Sequence, residues 1–255
     1  MVNLNFDSSN SWIIAIIINS ILIIIALISP KKLLTVMGYL NAWVLGVIVW
    51  GSLQWQGYII VMFYFLVGSG ITKVGIKQKE AEGIAEKRSG QRGPENVWGS
   101  ALIATICSLG YVFLSPPWQS FCLIGYVASF ATKLSDTCAS EIGKAYGKRT
   151  FLITNFKPVP RGTEGAVSLE GTLAGMMASI AIAVLAWQIN MIDFVGVIIC
   201  LISAFIATNL ESVIGATLQT KFNWLTNEIV NILNTLIGAS IAVLFSYIYL
   251  FNFIL

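Results

Sequence analysis

From Trp12 to Ile28 the chain runs 17 residues with only Asn19 and Ser20 breaking an apolar run, and the first 72 residues hold just three charges, Asp7, Lys31 and Lys32. A run of that length is near the lower limit for crossing a hydrocarbon core of about 30 Å as a helix. Comparable stretches follow at about 33–50, 57–72, 98–115, 118–134, 172–189, 192–208 and 229–250, the first of them carrying Asn41 in its middle. Apolar residues make up 56% of the 255 and charged residues 11%, too little polarity to cover the surface of a water-soluble domain of this size. The expected fold is therefore an all-α, polytopic integral membrane bundle of about eight transmembrane helices, with residues 1–255 forming a single membrane domain.

Charge is distributed as unevenly as hydrophobicity. Ten of the twelve carboxylates lie in three polar stretches, 73–96, 132–171 and 209–228. With eight crossings, all fifteen Lys and Arg residues fall on one side, which the positive-inside rule makes cytoplasmic. Both termini are then expected to be non-cytoplasmic, with Asp7 and Asp193 the only acids outside. No Lys or Arg precedes the first apolar run, unlike a cleavable signal peptide, so that run is read as a retained helix. The lack of a transit-like N-terminus favours a prokaryotic, cyanobacterial-like setting in a plasma or thylakoid membrane. The three stretches form the expected active face.

Absences narrow the chemistry. The chain has no His, which excludes His general bases, Ser or Cys triads that use His, phosphohistidine intermediates and His-ligated metals. Cys107, Cys122, Cys138 and Cys200 lack CxxC spacing and imply neither a zinc site nor a disulfide framework. No Walker A motif and no GxGxxG after a strand occurs, so any nucleotide is held another way. A net charge of +3 argues for no nucleic-acid partner, and no residue pattern dictates an oligomeric state.

The richest polar stretch begins at Ser135-Asp136-Thr137-Cys138-Ala139-Ser140-Glu141-Ile142-Gly143-Lys144. No breaker separates it from the preceding apolar run, so one long helix should carry Asp136 just past the membrane boundary. Thr132, Asp136, Ser140 and Gly143 then share a face. A carboxylate among small residues suits Mg²⁺, which takes one or two carboxylates together with phosphates and water. The plainer reading is a helix cap at Ser135 or Asp136 and a Glu141–Lys144 pair at three-residue spacing. Beyond Lys148 and Arg149, the loop from Lys157 to Gly175 combines Arg161 with Gly162, Gly165 and Gly171, a backbone able to bend around an anion beside a countercharge. A helix starting near Gly171-Thr172 would aim its N-terminus at a phosphate. Glu164 and Glu170 are further metal or base candidates. The alternative is a solvated connector drawn to anionic headgroups, which accounts for the cations but not for the acids among them.

In the first stretch, about 77–88 mixes charges at helical spacing as a short surface helix, broken by Gly90 and Gly93-Pro94. Arg88, Arg92 and Asn96 recur at four-residue steps and suit phosphate oxygens. Near the C-terminus Asn227, Asn231 and Asn234 form a stripe with Gly238, flanked by Glu228 and Thr235. Facing lipid would cost several kcal/mol, so the stripe must turn inward, for helix packing or for a site.

The ordered motifs GITKxGxxxKExxGIAExRxGQRGPENVxGSA, SDTCASEIGK, VPRGTEGAVSLEGTLAG, LESVIGATLQ and TNEIVNILNT, spanning about 65–240, resemble those of the plant and cyanobacterial phytyl-phosphate kinase family. That family sits within a wider group of integral membrane proteins that includes a human transmembrane protein. The SDTxAS and EGAVSLEGT pair is more distantly similar to CTP-dependent dolichol kinases and phosphatidate cytidylyltransferases.

The resemblance implies transfer of the terminal phosphoryl group of an NTP, CTP foremost, to phytyl phosphate or a related prenyl monophosphate embedded in the bilayer. The diphosphate would serve tocopherol or quinone synthesis. Asp136 is then the leading Mg²⁺ ligand, followed by Glu141, Glu164 and Glu170, with Glu228 also in reach. Asp136, Glu164 and Glu170 are the candidate catalytic groups. Lys144, Lys148, Arg161, Arg88, Arg92 and Asn96 would hold phosphates with Gly162, Gly165 and Gly171, and Asn227 and Asn231 would close the site. Cytidylyl transfer, phosphorylation of a free prenol and transport of an anionic solute stand as alternatives.

Overall fold

Trp50 and Tyr58 meet edge to face with ring centroids 5.1 Å apart. Eight residues of unbroken helix would separate them by about 12 Å. The helix that holds both, α2 (Val36–Thr72), contains one residue with non-helical backbone, Gln54 at φ 53° and ψ −149°. Both ends of α2 reach the same short segment. Thr35 donates its N–H to the Arg92 carbonyl at 3.0 Å, and a Cβ on Gly68 would lie 2.8 Å from the Arg92 guanidinium. As a straight rod α2 would be about 55 Å long, so the chain folds back at Gln54. The stretches expected at 33–50 and 57–72 are the two arms of this hairpin.

The computed structural model describes residues 8–30, 32–219 and 221–253. Asp7 and Lys31, two of the charges used to argue sidedness, lie outside the described residues. The remaining elements are α1 (Ser8–Ile28), a short α3 (Ile76–Ala81), α4 (Pro94–Phe113), α5 (Trp118–Tyr146), strands β1 (Thr150–Leu152) and β2 (Ala166–Ser168), α6 (Leu169–Gln188), α7 (Phe194–Ile214) and α8 (Asn227–Phe253). Local chemistry sets the boundaries. Thr35, Ser168 and Asp193 cap α2, α6 and α7, each accepting the N–H of a glycine three residues on, and Pro94 opens α4. The connector from α5 to α6 is more ordered than the expected loop. β1 and β2 pair antiparallel, Thr150 opposite Ser168.

Among the described residues six helices are long and apolar enough to cross a bilayer: α1, α2, α4, α6, α7 with the π turn that extends it to Gln219, and α8. The expected eight separate crossings are not returned by this measure, for two physical reasons. The α2 hairpin is one continuous run of residues without a charge, and α5 carries Lys133, Asp136, Glu141 and Lys144. Yet α5 is the most enclosed helix, every residue from Leu123 to Cys138 being buried. A helix walled by other helices needs no apolar exterior, so its charges can face an interior site. The lipid-facing belt is supplied instead by residues such as Ile13, Ile24, Leu40, Phe113 and Leu244, all exposed.

The asparagine stripe of α8 turns inward as expected. Asn234 and Thr235 are fully buried, and Gly238 lets α8 approach α5 so closely that a Cβ there would collide with Thr132.

Candidate functional site

At the end of the bundle where the three polar stretches converge lies a cavity of about 720 Å³. Its walls are the 83–92 segment, the start of α4, α5 from Lys133 to Lys144, the 162–168 segment with the start of α6, the end of α7 and the start of α8.

Lys133 stands at the centre. Its Nζ donates to Asp136 Oδ2 at 2.6 Å, one turn along α5, and to Asn231 Oδ1 of α8 at 2.7 Å. The two α5 side chains are only 8% and 12% exposed, so the pair acts in a medium where charge is weakly screened. Glu211 of α7 lies against Asp136, with Lys133 and Glu164 nearby. Two helices thus bring Asp136 and Glu211 to one ammonium, and the connector brings Glu164 near Glu211. Glu164 is positioned by Gly165, whose φ of +74° and lack of a side chain let the connector rest on the last turn of α7, 2.5 Å from the Ser212 carbonyl at the nearest approach of an added Cβ.

A second group sits toward the C-terminal end of α5. Lys144 Nζ lies 3.6 Å from Glu86 and 3.7 Å from Glu141. Glu141 is buried and bound by the fully buried Lys79 of α3. Burial pushes the Glu141 carboxyl above the usual carboxylate range, against the opposing pull of Lys144 and Lys79. At the other wall Arg88 pairs with Glu95 and donates to Asn96 Oδ1 at 3.0 Å, while that same oxygen accepts the Gly93 N–H and caps α4. Arg92 donates to the Tyr64 hydroxyl at 2.9 Å and sits 5.2 Å from its ring centroid.

Most of the residues singled out in the sequence meet here. Asp136, Glu141, Glu164, Glu228, Lys144, Arg88, Arg92, Asn96, Gly162, Gly165, Gly171, Asn227 and Asn231 all line the cavity. Glu170, Lys148 and Arg161 do not. Glu170 is half-buried in the first turn of α6, where it favours the helix dipole, and Lys148 is exposed past the end of α5. Arg161 ties the connector to the first stretch through Glu82 at 2.7 Å and to the Ala145 carbonyl at 3.3 Å. Sequence reasoning missed Lys133, Lys79 and the meeting of Glu211, a polar residue noted inside its helix, with Asp136. Lys133 carried a legible signal, its i, i+3 spacing to Asp136. The other two depend on contacts between distant elements.

Asp136 and Glu211, beside the Lys133 ammonium, carry oxygen donors of the kind that a hard cation takes. Among the described residues no group of three or more acids or thiols is close enough to hold a metal by itself.

A helical integral membrane protein with a charged, mixed-sign cavity at one end is the class that this fold and site define. The chain belongs to the family described as integral membrane protein DUF92, which matches residues 19–239. It is 64% identical to an uncharacterized membrane protein of Synechocystis over 91% of this chain and 90% of that one. It is 42% identical to protein VTE6, chloroplastic, of Arabidopsis thaliana, over 97% of this chain and 76% of the relative. An uncharacterized membrane protein of Methanocaldococcus jannaschii is 31% identical over 88% of this chain and 92% of its own. These matches bear out the family resemblance of the motifs. No solved structure matches.

Proposed function

We propose that the chain is a prenyl-phosphate kinase that moves the terminal phosphoryl group of a nucleoside triphosphate, CTP foremost, onto phytyl monophosphate or a close relative. The observation that carries this reading is the alternation of cations and carboxylates around one cavity at the end of a membrane bundle: Lys133 with Asp136, Lys144 with Glu86 and Glu141, Arg88 with Glu95. Two phosphorylated substrates bring the anions such cations can exchange for, and the carboxylates so released would be available to a divalent ion. The relationship to protein VTE6 supports the same assignment, and the product diphosphate would serve tocopherol or quinone synthesis.

The chemistry asks little of acid–base groups. A phosphate monoester is already ionised near neutral pH, so the lack of His is no handicap, and catalysis reduces to alignment and charge stabilisation. Lys133 turns from Asp136 toward a phosphate oxygen, and Lys144, Arg88 and Arg92 hold the remaining phosphate oxygens. Asp136, with Glu211 and Glu164 near it, would hold Mg²⁺ brought in on phosphate oxygens, and that ion would supply charge neutralisation. Asn231 keeps the Lys133 ammonium aligned, and the 83–92 segment over the cavity limits hydrolysis by water. In this reading α5 and both arms of α2 are crossings, giving eight, and the site faces the cytoplasm with both termini outside.

Purified protein with Mg²⁺, phytyl monophosphate and each NTP labelled at the γ-phosphate tests the assignment. Labelled phytyl diphosphate is the expected product and identifies the donor. Release of diphosphate with a CDP-linked lipid would replace the assignment with cytidylyl transfer, and no reaction with any prenyl phosphate or prenol would remove it.

A further inference from the structure

The cavity walls are polar or enclosed almost everywhere, with one change of character. Thr172 and Met176 of α6 and Phe205 and Asn209 of α7 line it, and Phe205 is 42% exposed on the outer surface of the bundle. Phe205 thus belongs both to the cavity lining and to the exposed side of α7.

The seam between these two helices is set by their packing on α5. A Cβ on Gly175 of α6 would meet the Ser135 carbonyl and hydroxyl oxygens, both at 2.9 Å, so α6 is drawn against α5 at that residue. Thr208 of α7 donates to the same Ser135 hydroxyl at 3.3 Å. Both helices are thus anchored to one residue of α5, which closes the inner side of the α6–α7 seam. Beside it, Leu173 and Met177 on α6 and Ile198 and Ile202 on α7 are exposed, so the approach is apolar. The seam has a polar inner edge in Thr172 and Asn209 and an apolar outer edge in Met176 and Phe205.

We propose that the α6–α7 seam is the portal for the isoprenoid tail, with Met176 and Phe205 setting which tails are accepted. This rests on the prenyl-phosphate kinase reading and deepens it. An amphiphile whose head is anionic and whose tail prefers hydrocarbon matches the gradient from Lys133 to Phe205. Its head lies among cations while its tail leaves sideways into the bilayer without crossing a polar layer. Selectivity then follows from tail volume in the gap, where each apolar side chain is worth only a modest factor per methylene.

Two measurements decide it. The variants Met176→Trp and Phe205→Trp fill the gap. Each is expected to lower kcat/KM for phytyl monophosphate at least about tenfold more than for dimethylallyl monophosphate, whose tail is too short to reach them, with the change mainly in KM. Parallel losses for both substrates, or no loss for either, overturn the portal. Separately, a phytyl monophosphate analogue with a diazirine in its tail is photolysed on the unsubstituted protein and adducts are mapped by mass spectrometry. Adducts within 172–177 and 198–209, displaced by phytyl monophosphate, are the expected result. Adducts concentrated on α1, α2 or α4, or no specific adduct, overturn the portal. Because labelling needs no phosphoryl transfer, it separates a failed portal from a failed kinase assignment.

Discussion

The ammonium of Lys79 has no exposed surface: it is closed in between the carboxylate of Glu141 on α5 and the carbonyl oxygen of Thr72, to which it donates at 2.8 Å. A six-residue helix is thereby bolted to the central helix beside the cavity. Removing Lys79 leaves the buried Glu141 with only Lys144 at 3.7 Å, a loss of up to about 3–5 kcal/mol, whereas removing both partners is milder. Lys79→Met is expected to lower the unfolding midpoint in detergent sharply, and Lys79→Met with Glu141→Leu to recover at least half of the loss. An unchanged midpoint in the single variant would mean that α3 is not held by this pair.

Asp136→Asn keeps size and hydrogen-bonding capacity beside Lys133 but removes the charge that the ammonium and a divalent ion would share. Insertion and size-exclusion behaviour should be preserved while prenyl-phosphate kinase turnover falls about a hundredfold or more, on the order of 3 kcal/mol of transition-state stabilisation. Full turnover by a purified, folded Asp136→Asn sample would remove Asp136 from the site.

What could be read in the sequence was local. The long helix running through Asp136, the break before Pro94, the Glu141–Lys144 pair and the inward stripe of Asn231 and Asn234 each depend on spacing within one segment, and each is present. The reversal at Gln54 left only the expectation of two apolar stretches, because a single residue at positive φ carries no strong residue signal. The site's composition was legible, but its centre was not. Lys133 was counted for sidedness, and Glu211 lies on a different helix from Asp136, 75 residues along the chain, so only packing shows that they meet. Glu170 and Arg161 carry the right chemistry in the right motif, yet a helix turn and an ion pair with Glu82 direct them elsewhere.

Arg92 combines a donor contact to the Tyr64 hydroxyl with stacking over its ring, an arrangement that needs a planar guanidinium. Arg92→Lys keeps the charge and loses the plane. The expected result is a rise of about tenfold in KM for the phosphate-bearing substrates, roughly 1.4 kcal/mol, with kcat less affected. Tyr64→Phe removes only the hydroxyl and should cost about 1 kcal/mol or less. Steady-state kinetics on both variants checks the order, and an Arg92→Lys enzyme with unaltered KM would separate Arg92 from substrate binding.

Two glycines at positive φ hold the connector, and their neighbours predict different outcomes. Gly162 has φ +82° and an added Cβ would press on the Ile84 side chain, 2.5 Å from Cγ2 and 2.8 Å from Cβ, so relief requires a shift of the 83–92 segment and not of a spanning helix. Gly165 has φ +74°, and an added Cβ would meet the Ser212 carbonyl of α7 at 2.5 Å together with Ala216, backbone that cannot yield. Both Ala variants incur about 1–2 kcal/mol for the left-handed conformation. Only Gly165→Ala must also lift the connector from α7, and Glu164, the next residue, would be carried away from Glu211 and Asp136. Gly165→Ala is therefore expected to lose at least several-fold more kinase turnover than Gly162→Ala, beyond what the shared conformational cost explains. Unfolding midpoints and kcat measured side by side test this. Equal losses in the two variants would show that the placement of Glu164 does not matter to the reaction, and would leave Asp136 and Glu211 as the acids of the site.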